Sequence, residues 1–294
     1  MADYASNDER PNQSRNRNLL HNAINMVGNG GLGNPNYSNG QGSTYISNGG
    51  INDALERYDK QFIASGPRSL ASIAIRAFSL GISLAISSTL ASYLAYQERP
   101  IWRAPFFVAL LSLFHFLEFW ITAHSNTSDA SVSSFLLTSN GSAYTIAHSV
   151  ALLECTLTHL LHPAPFLPTS AHYACLVLGL IFVGMGQVVR TMAMNTAGQS
   201  FSHLVAHQKR DTHTLITHGL YAYLRHPAYF GFFWWGIGTQ LVCGNALSLV
   251  GFSIVLWYFF HKRIIGEEES LVKFFGKEYV EYKGRTSVGI PFIR

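Results

Sequence analysis

The apolar run 230–260 is flanked by two polar clusters, and this arrangement constrains the chain more than any other feature. Ahead of it stand Tyr221, Arg225, His226 and Tyr229; behind it stand Arg263, Glu267 and Glu268. The run is interrupted only at Cys243-Gly244-Asn245, a turn-type sequence. Each half holds about sixteen residues, or ~24 Å of helix, short of a hydrocarbon core of ~30 Å. The pattern predicts a tight helical hairpin with its turn near the far side of the membrane. Folding back there brings the two clusters together at one membrane face. One polar site is then made from two distant pieces of sequence.

Four earlier segments, Ser69–Tyr96, Ala104–Ala123, Ser142–Leu161 and Ala171–Met194, are also apolar and long enough to span a bilayer. The expected fold is therefore all-α, a polytopic integral membrane protein with about six transmembrane helices. Scarce charge (12%) and plentiful aromatics (13%) agree with that class. Residues 1–52 are rich in Asn, Gly and Ser and cannot bury enough apolar surface to offset chain entropy. The organisation expected is a disordered cytosolic tail (1–66), a four-helix membrane region (67–194) and a C-terminal region carrying the site (195–294). Within the tail, Asp53–Gln61 has the pattern of a short amphipathic helix. Gly28, Gly30, Gly31 and Gly33 have no flanking strand and helix, so they read as low complexity rather than a nucleotide loop. Basic residues concentrate in the tail, the 195–225 loop and the C-terminus, with Arg99 and Arg103 as exceptions. The positive-inside rule then puts these segments and the polar site on the cytosolic face. No basic run suggests nucleic acid, and Cys155, Cys175 and Cys243 read as packing thiols.

Polar residues inside the spans need partners. His115 and Glu118 are three apart on one face and are expected to pair structurally; His148 and Glu154 lie in the third span. Ser79, Ser83, Ser87 and Ala91 form a small-residue stripe, read as an internal helix contact or, more sharply, as a homodimer face. Gly179, Gly184 and Gly186 permit close packing of the fourth span. The segment 195–225 carries His203, His207, His213 and His218, but no Cys lies nearby and no His-Glu-x-x-His motif occurs, so no metal site is expected. A loop closing over a polar ligand is expected instead. Glu267–Tyr282 reads as an amphipathic interfacial helix with Tyr279 and Tyr282 on its apolar face. Asn126-Thr-Ser and Asn140-Gly-Ser match the glycosylation pattern and should stay unmodified in a cytosolic loop.

The C-terminal half resembles the isoprenylcysteine carboxyl methyltransferase family, with a tail in keeping with a fungal-type member. The matching elements are Ala193-Met-Asn-Thr-Ala-Gly198, Asp211-Thr-His-Thr-Leu-Ile-Thr217, Gly219-Leu-Tyr221, Arg225-His-Pro-Ala-Tyr-Phe-Gly231, Gly236-Ile-Gly-Thr-Gln240, Arg263, Glu267-Glu268 and Gly289-Ile-Pro-Phe-Ile293. The Arg-His-Pro-x-Tyr-x-Gly and Glu-Glu elements also occur in phospholipid methyltransferases and, more loosely, in sterol reductases. The 211–217 segment and the ending narrow the resemblance. Ala228 departs from it, because Ser often follows the proline; so does Ala206, where a polar residue is common.

The resemblance implies S-adenosyl-L-methionine as methyl donor and the prenylated C-terminal cysteine of CaaX-type proteins as acceptor, at the endoplasmic reticulum membrane. It implies that His213, Thr214, Leu215, Ile216, Tyr221, His226, Pro227, Ala228, Tyr229 and Glu267 bind the cofactor. Arg263 is implied to receive the acceptor's carboxylate and to be the catalytic residue. On residue type alone, Tyr221 and Tyr229 read as interfacial anchors, the commoner use of Tyr at a membrane boundary, and His226 as a helix cap. A lipid-amine methyltransferase would not need Arg263. A sterol reductase using NADPH would need a richer basic cluster than Lys209, Arg210 and Arg225, and a transporter would usually show repeated halves.

Overall fold

In the computed structural model, residues 48–162, 168–204, 208–209 and 213–294 are described, and the regular structure among them is helical. The chain divides into two units, Met1–Gly66 and Pro67–Arg294. In the first, helix α1 (Asn48–Lys60) begins inside the stretch read as disordered, and Lys60 pairs with Glu56 one turn away. Residues 1–47 of the tail, and Ala206, lie outside the described residues.

The second unit comprises α2 (Leu70–Tyr96), α3 (Arg103–Ser125), α4 (Ser142–Leu161), α5 (Thr169–Ala197), α6 (Pro227–Cys243), α7 (Ala246–Phe275) and α8 (Lys277–Arg285). Among the described residues four stretches are long and apolar enough to cross a membrane by length and composition: Leu70–Tyr96, Pro100–Ser125, Thr169–Ser200 and Ala246–Phe275. The other apolar helices, α4 and α6, have 20 and 17 residues. Large apolar side chains such as Ile75, Phe78 and Ile86 are exposed along α2, as expected of a surface that lipid covers.

The small-residue stripe of α2 is used within the chain. Ser83 Oγ lies 2.8 Å from Ser112 Oγ of α3, and Ser87 and Ala91 are buried, while Ser79 is exposed. The internal-contact reading therefore accounts for the buried part of the stripe. On α5 and α6, glycines at seven-residue spacing bring two backbones together. A Cβ on Gly186 would sit 2.6 Å from the Gly231 carbonyl, and one on Gly238 would sit 2.7 Å from Val183 N. Gly184, expected to help, faces open space.

The hairpin turns as expected at Gly244, whose left-handed φ of 72° suits glycine. Its apex is pinned inside the protein. Asn245 Nδ2 donates to Ala151 O (2.9 Å) and Gln240 Oε1 (2.8 Å), and His159 Nε2 donates to Cys243 O at 2.8 Å. Glu154 accepts hydrogen bonds from the first amides of α7, Leu247 (2.8 Å) and Ser248 (2.7 Å), where a carboxylate complements the helix dipole. These anchors fix the register of α6 against α7, and hence the site at their other ends.

Two further expectations are corrected. His115 does not pair with Glu118; its Nδ1 donates to Phe135 O (2.8 Å), and its Nε2 meets the Tyr144 hydroxyl (3.2 Å). Glu118 instead takes Arg190 of α5. The tail is also not one interfacial helix. Gly276 (φ 57°) breaks it, and Tyr279 and Tyr282 of α8 are buried at 1% and 2% exposure. Asn126 is likewise a buried structural residue, donating from Nδ2 to Phe201 O.

Candidate active site

Neighbouring positions on a helix point about 100° apart, and Glu267 and Glu268 use that divergence. Glu268 is buried and gathers three cationic or donor groups: Arg225 Nε (2.5 Å), His226 Nε2 (3.2 Å) and Lys283 Nζ (2.5 Å). Arg225 also donates to Thr286 O at 2.9 Å, and its amide donates to Ser287 O. This cluster ties the start of α6 to α7, α8 and the C-terminal segment. Glu267 faces a different space. It accepts the Tyr229 hydroxyl at 2.5 Å and lines a cavity of about 120 Å³.

That cavity gathers most of the residues implied as cofactor-binding. Thr214, Leu215, Ile216, Tyr221, His226, Ala228, Tyr229 and Glu267 all line it. His213 and Pro227 do not; Pro227 is buried at the first position of α6, where its fixed φ suits a helix start. The loop expected to close over a ligand forms one wall, with Ser200 Oγ accepting from Thr214 N at 3.2 Å. Burial pushes the Tyr221 phenol above its ordinary pKa, and its hydroxyl donates to Ala193 O at 3.4 Å.

Arg263 borders a second space, an apolar cavity of about 430 Å³ between α4 and α7 that includes Tyr144, His148, Gly251, Phe252 and Phe259. Phe201, Ser202 and Tyr229 line both cavities. Arg263 Nε donates to the Tyr229 hydroxyl at 2.8 Å, and Nη2 donates to His203 O at 2.5 Å. Tyr229 thus joins Arg263 to Glu267 through one oxygen atom. Among the described residues Arg263 has no carboxylate partner: the ion pairs of the core belong to Arg190, His203, Arg225, His226 and Lys283. An i, i+4 ion pair with Glu267 is therefore not what holds it.

A buried network that the sequence did not indicate as a unit borders the apolar cavity, which Arg190 and His203 both line. Arg190 grips both oxygens of Glu118, with Nη2 to Oε2 at 2.7 Å, and donates from Nη1 to Ala228 O at 3.1 Å. His203 lies alongside, with Nε2 3.2 Å from Thr122 Oγ1. Burial drives its imidazole pKa down to about 4 despite the nearby Glu118 carboxylate, so it is neutral at ordinary pH. Tyr279 and Tyr282 were also missed as cavity residues, because their spacing was read as a lipid-facing stripe.

The model of the isoprenylcysteine carboxyl methyltransferase (ICMT) family matches residues 177–273. A protein-S-isoprenylcysteine O-methyltransferase of Saccharomyces cerevisiae is 52% identical over 189 residues, covering 64% of this chain and 79% of that protein. The human protein of the same name is 41% identical over 223 residues, covering 76% and 75%. A solved structure of the eukaryotic intramembrane Ras methyltransferase ICMT superposes with a TM-score of 0.68 at 32% identity, covering 95% of this chain and 94% of that one. The chain belongs to the isoprenylcysteine carboxyl methyltransferase family.

Proposed function

We propose that this chain methyl-esterifies the C-terminal carboxylate of prenylated (farnesyl or geranylgeranyl) cysteine in CaaX-type proteins, with S-adenosylmethionine as donor. One observation carries the reading. A guanidinium without a carboxylate partner among the described residues, Arg263, borders an apolar cavity and touches, through Tyr229, the carboxylate of a polar one. A cation is costly beside apolar surface unless an anion arrives to pair with it.

The polar cavity fits the donor by its chemistry. Glu267 complements positive charge, while hydroxyls, backbone groups of 214–216 and aromatic rings complement an adenosyl group. S-Adenosylmethionine, when bound, supplies a methyl group on an electron-poor sulfonium. Every other part of the reaction is positioning by the protein. A C-terminal carboxylate has a reference pKa of about 3.5 and arrives ionised, so no general base is required. Arg263 receives it through the donors that Tyr229 and His203 leave free, and the same two contacts lock the guanidinium plane. Holding nucleophile and methyl group close and in line can supply several kcal/mol of rate enhancement.

The apolar cavity would take the prenyl chain, entering from bilayer lipid between α4 and α7, where Val150 and Val255 are both exposed and cavity-lining. Gly251 borders this route, and a Cβ there meets nothing within 4 Å. Gly251→Leu should raise KM for a farnesyl acceptor by about tenfold, the scale for changing a hydrophobic pocket. Cofactor affinity should stay unchanged, and helix propensity improves. Equal losses in both affinities would remove Gly251 from the acceptor route.

The proposed topology has six spans in the endoplasmic reticulum membrane, with the site on the cytosolic face, supported by the asymmetry of Lys and Arg. Tags at both termini should be accessible to protease in intact microsomes; protection of the C-terminal tag would reverse the orientation. The activity itself is tested by methyl transfer from labelled S-adenosylmethionine to N-acetyl-S-farnesylcysteine in detergent-solubilised protein. Transfer to phosphatidylethanolamine in place of the prenylcysteine would overturn the acceptor class.

A further inference from the structure

Tyr221, Tyr229, Tyr279 and Tyr282 all line the polar cavity, and three of their hydroxyls are engaged within the protein. Tyr221 donates to Ala193 O (3.4 Å), Tyr229 to Glu267 Oε2 (2.5 Å) and Tyr282 to Tyr221 O (2.8 Å). Tyr279 differs. Its side chain is 1% exposed, and its hydroxyl is buried with no hydrogen-bond partner among the described residues.

A buried hydroxyl without a partner costs stability, and native interiors seldom keep one. Packing does not require it here. The ring of Tyr279 lies against that of Tyr282 with centroids 6.0 Å apart, a contact a phenyl ring makes equally well. The turn at Gly276 sets α8 off from α7, and residues 279 and 282, three apart on one face of α8, both reach the cavity. The position therefore holds a polar atom without a partner among the described residues, on a side chain that lines a ligand site.

We propose that Tyr279 is a further cofactor-binding residue, its phenol donating a hydrogen bond to an acceptor atom of the adenosyl moiety of S-adenosylmethionine. The proposal rests on reading this cavity as the cofactor site. The phenol is suited to that task as a neutral donor: burial, with Glu268 and Glu267 nearby, pushes its pKa above the ordinary value, so it keeps its proton throughout the physiological range.

The test is Tyr279→Phe, which removes one oxygen and leaves the ring. Calorimetric titration with S-adenosylhomocysteine should show about five- to tenfold weaker binding than wild type, the scale of one lost hydrogen bond. The melting temperature of the ligand-free variant should be unchanged or higher, because an unpartnered hydroxyl has gone. Tyr282→Phe is the contrast: it loses the bond to Tyr221 O and should lower the melting temperature. Unchanged affinity in Tyr279→Phe would overturn the proposal. So would a lowered melting temperature, which would mean that the hydroxyl serves the fold. Failure of the wild-type protein to bind S-adenosylhomocysteine would instead bring down the cofactor reading of the cavity, and this inference with it.

Discussion

Arg263→Ala should abolish methyl transfer to a prenylcysteine acceptor, lowering turnover by about 10²–10³, the scale on which a positioned donor contributes to catalysis. Its cofactor affinity should stay close to wild type. The expectation follows from the division of space: Arg263 borders the apolar cavity, Glu267 borders the polar one, and among the described residues the Tyr229 hydroxyl bridges the two side chains. Glu267→Gln should show the opposite pattern, with weaker cofactor binding and little change in acceptor affinity. Arg263→Lys keeps the charge but loses the planar fork held between Tyr229 and His203, so it should be impaired rather than silent. A rival account makes the two residues a helix-stabilising pair. Arg ahead of Glu is the weaker order for such a pair, worth about 0.3–0.5 kcal/mol at best, and the side chains are bridged by Tyr229 rather than joined directly. Calorimetric titration of cofactor alongside initial-rate kinetics separates the two accounts. If Arg263→Ala loses cofactor affinity as severely as Glu267→Gln, the residues act as one unit and the division is wrong.

The hairpin was legible in the sequence because its signals are local: a turn tripeptide, two apolar halves and polar flanks. Helix boundaries for α2 to α5 follow from apolar length for the same reason. The residues implied as cofactor-binding also converge on one cavity, apart from His213 and Pro227, while Arg263 borders the other. What was not legible depends on direction around a helix and on distant partners. Glu118 and His115 share a face, but only tertiary structure reveals that Arg190, far along the chain, claims the carboxylate while His115 turns to Phe135 and Tyr144. A stripe such as Tyr279 and Tyr282 looks the same whether it meets lipid or protein; Gly276, which turns the chain inward, was the signal that could have decided it. The small-residue stripe of α2 is ambiguous in the same way until Ser83 is found beside Ser112.

Glu118→Ala should be the most destabilising single change in the core that leaves every cavity residue in place. Glu118 is 1% exposed and Arg190 7%, so removing the carboxylate strands a buried guanidinium. Breaking a buried pair from one side costs about 3–5 kcal/mol, or roughly 10 °C in melting temperature for a domain of this size. Among the described residues no other carboxylate pairs with Arg190. His203, with Nδ1 3.7 Å from Glu118 Oε2, cannot take the carboxylate's place: burial keeps it neutral at ordinary pH, and it has no negative charge to offer the guanidinium. The rings of Phe114 and Phe232, 5.5 and 5.2 Å from the guanidinium, offer only weak cation–π attraction. Replacing both partners, Glu118→Met with Arg190→Met, should recover most of the lost stability, because an apolar pair needs no charge balance. It should not recover full cofactor affinity. Arg190 Nη1 also donates to Ala228 O, so the double variant leaves that carbonyl, in the turn at the polar cavity, without its partner. Melting curves and calorimetric titration of the single and double variants read the two effects separately. A single variant that melts like wild type would mean that the pair does not hold α3 to α5. A double variant that restores both stability and affinity would mean that Arg190 does not position the Ala228 turn.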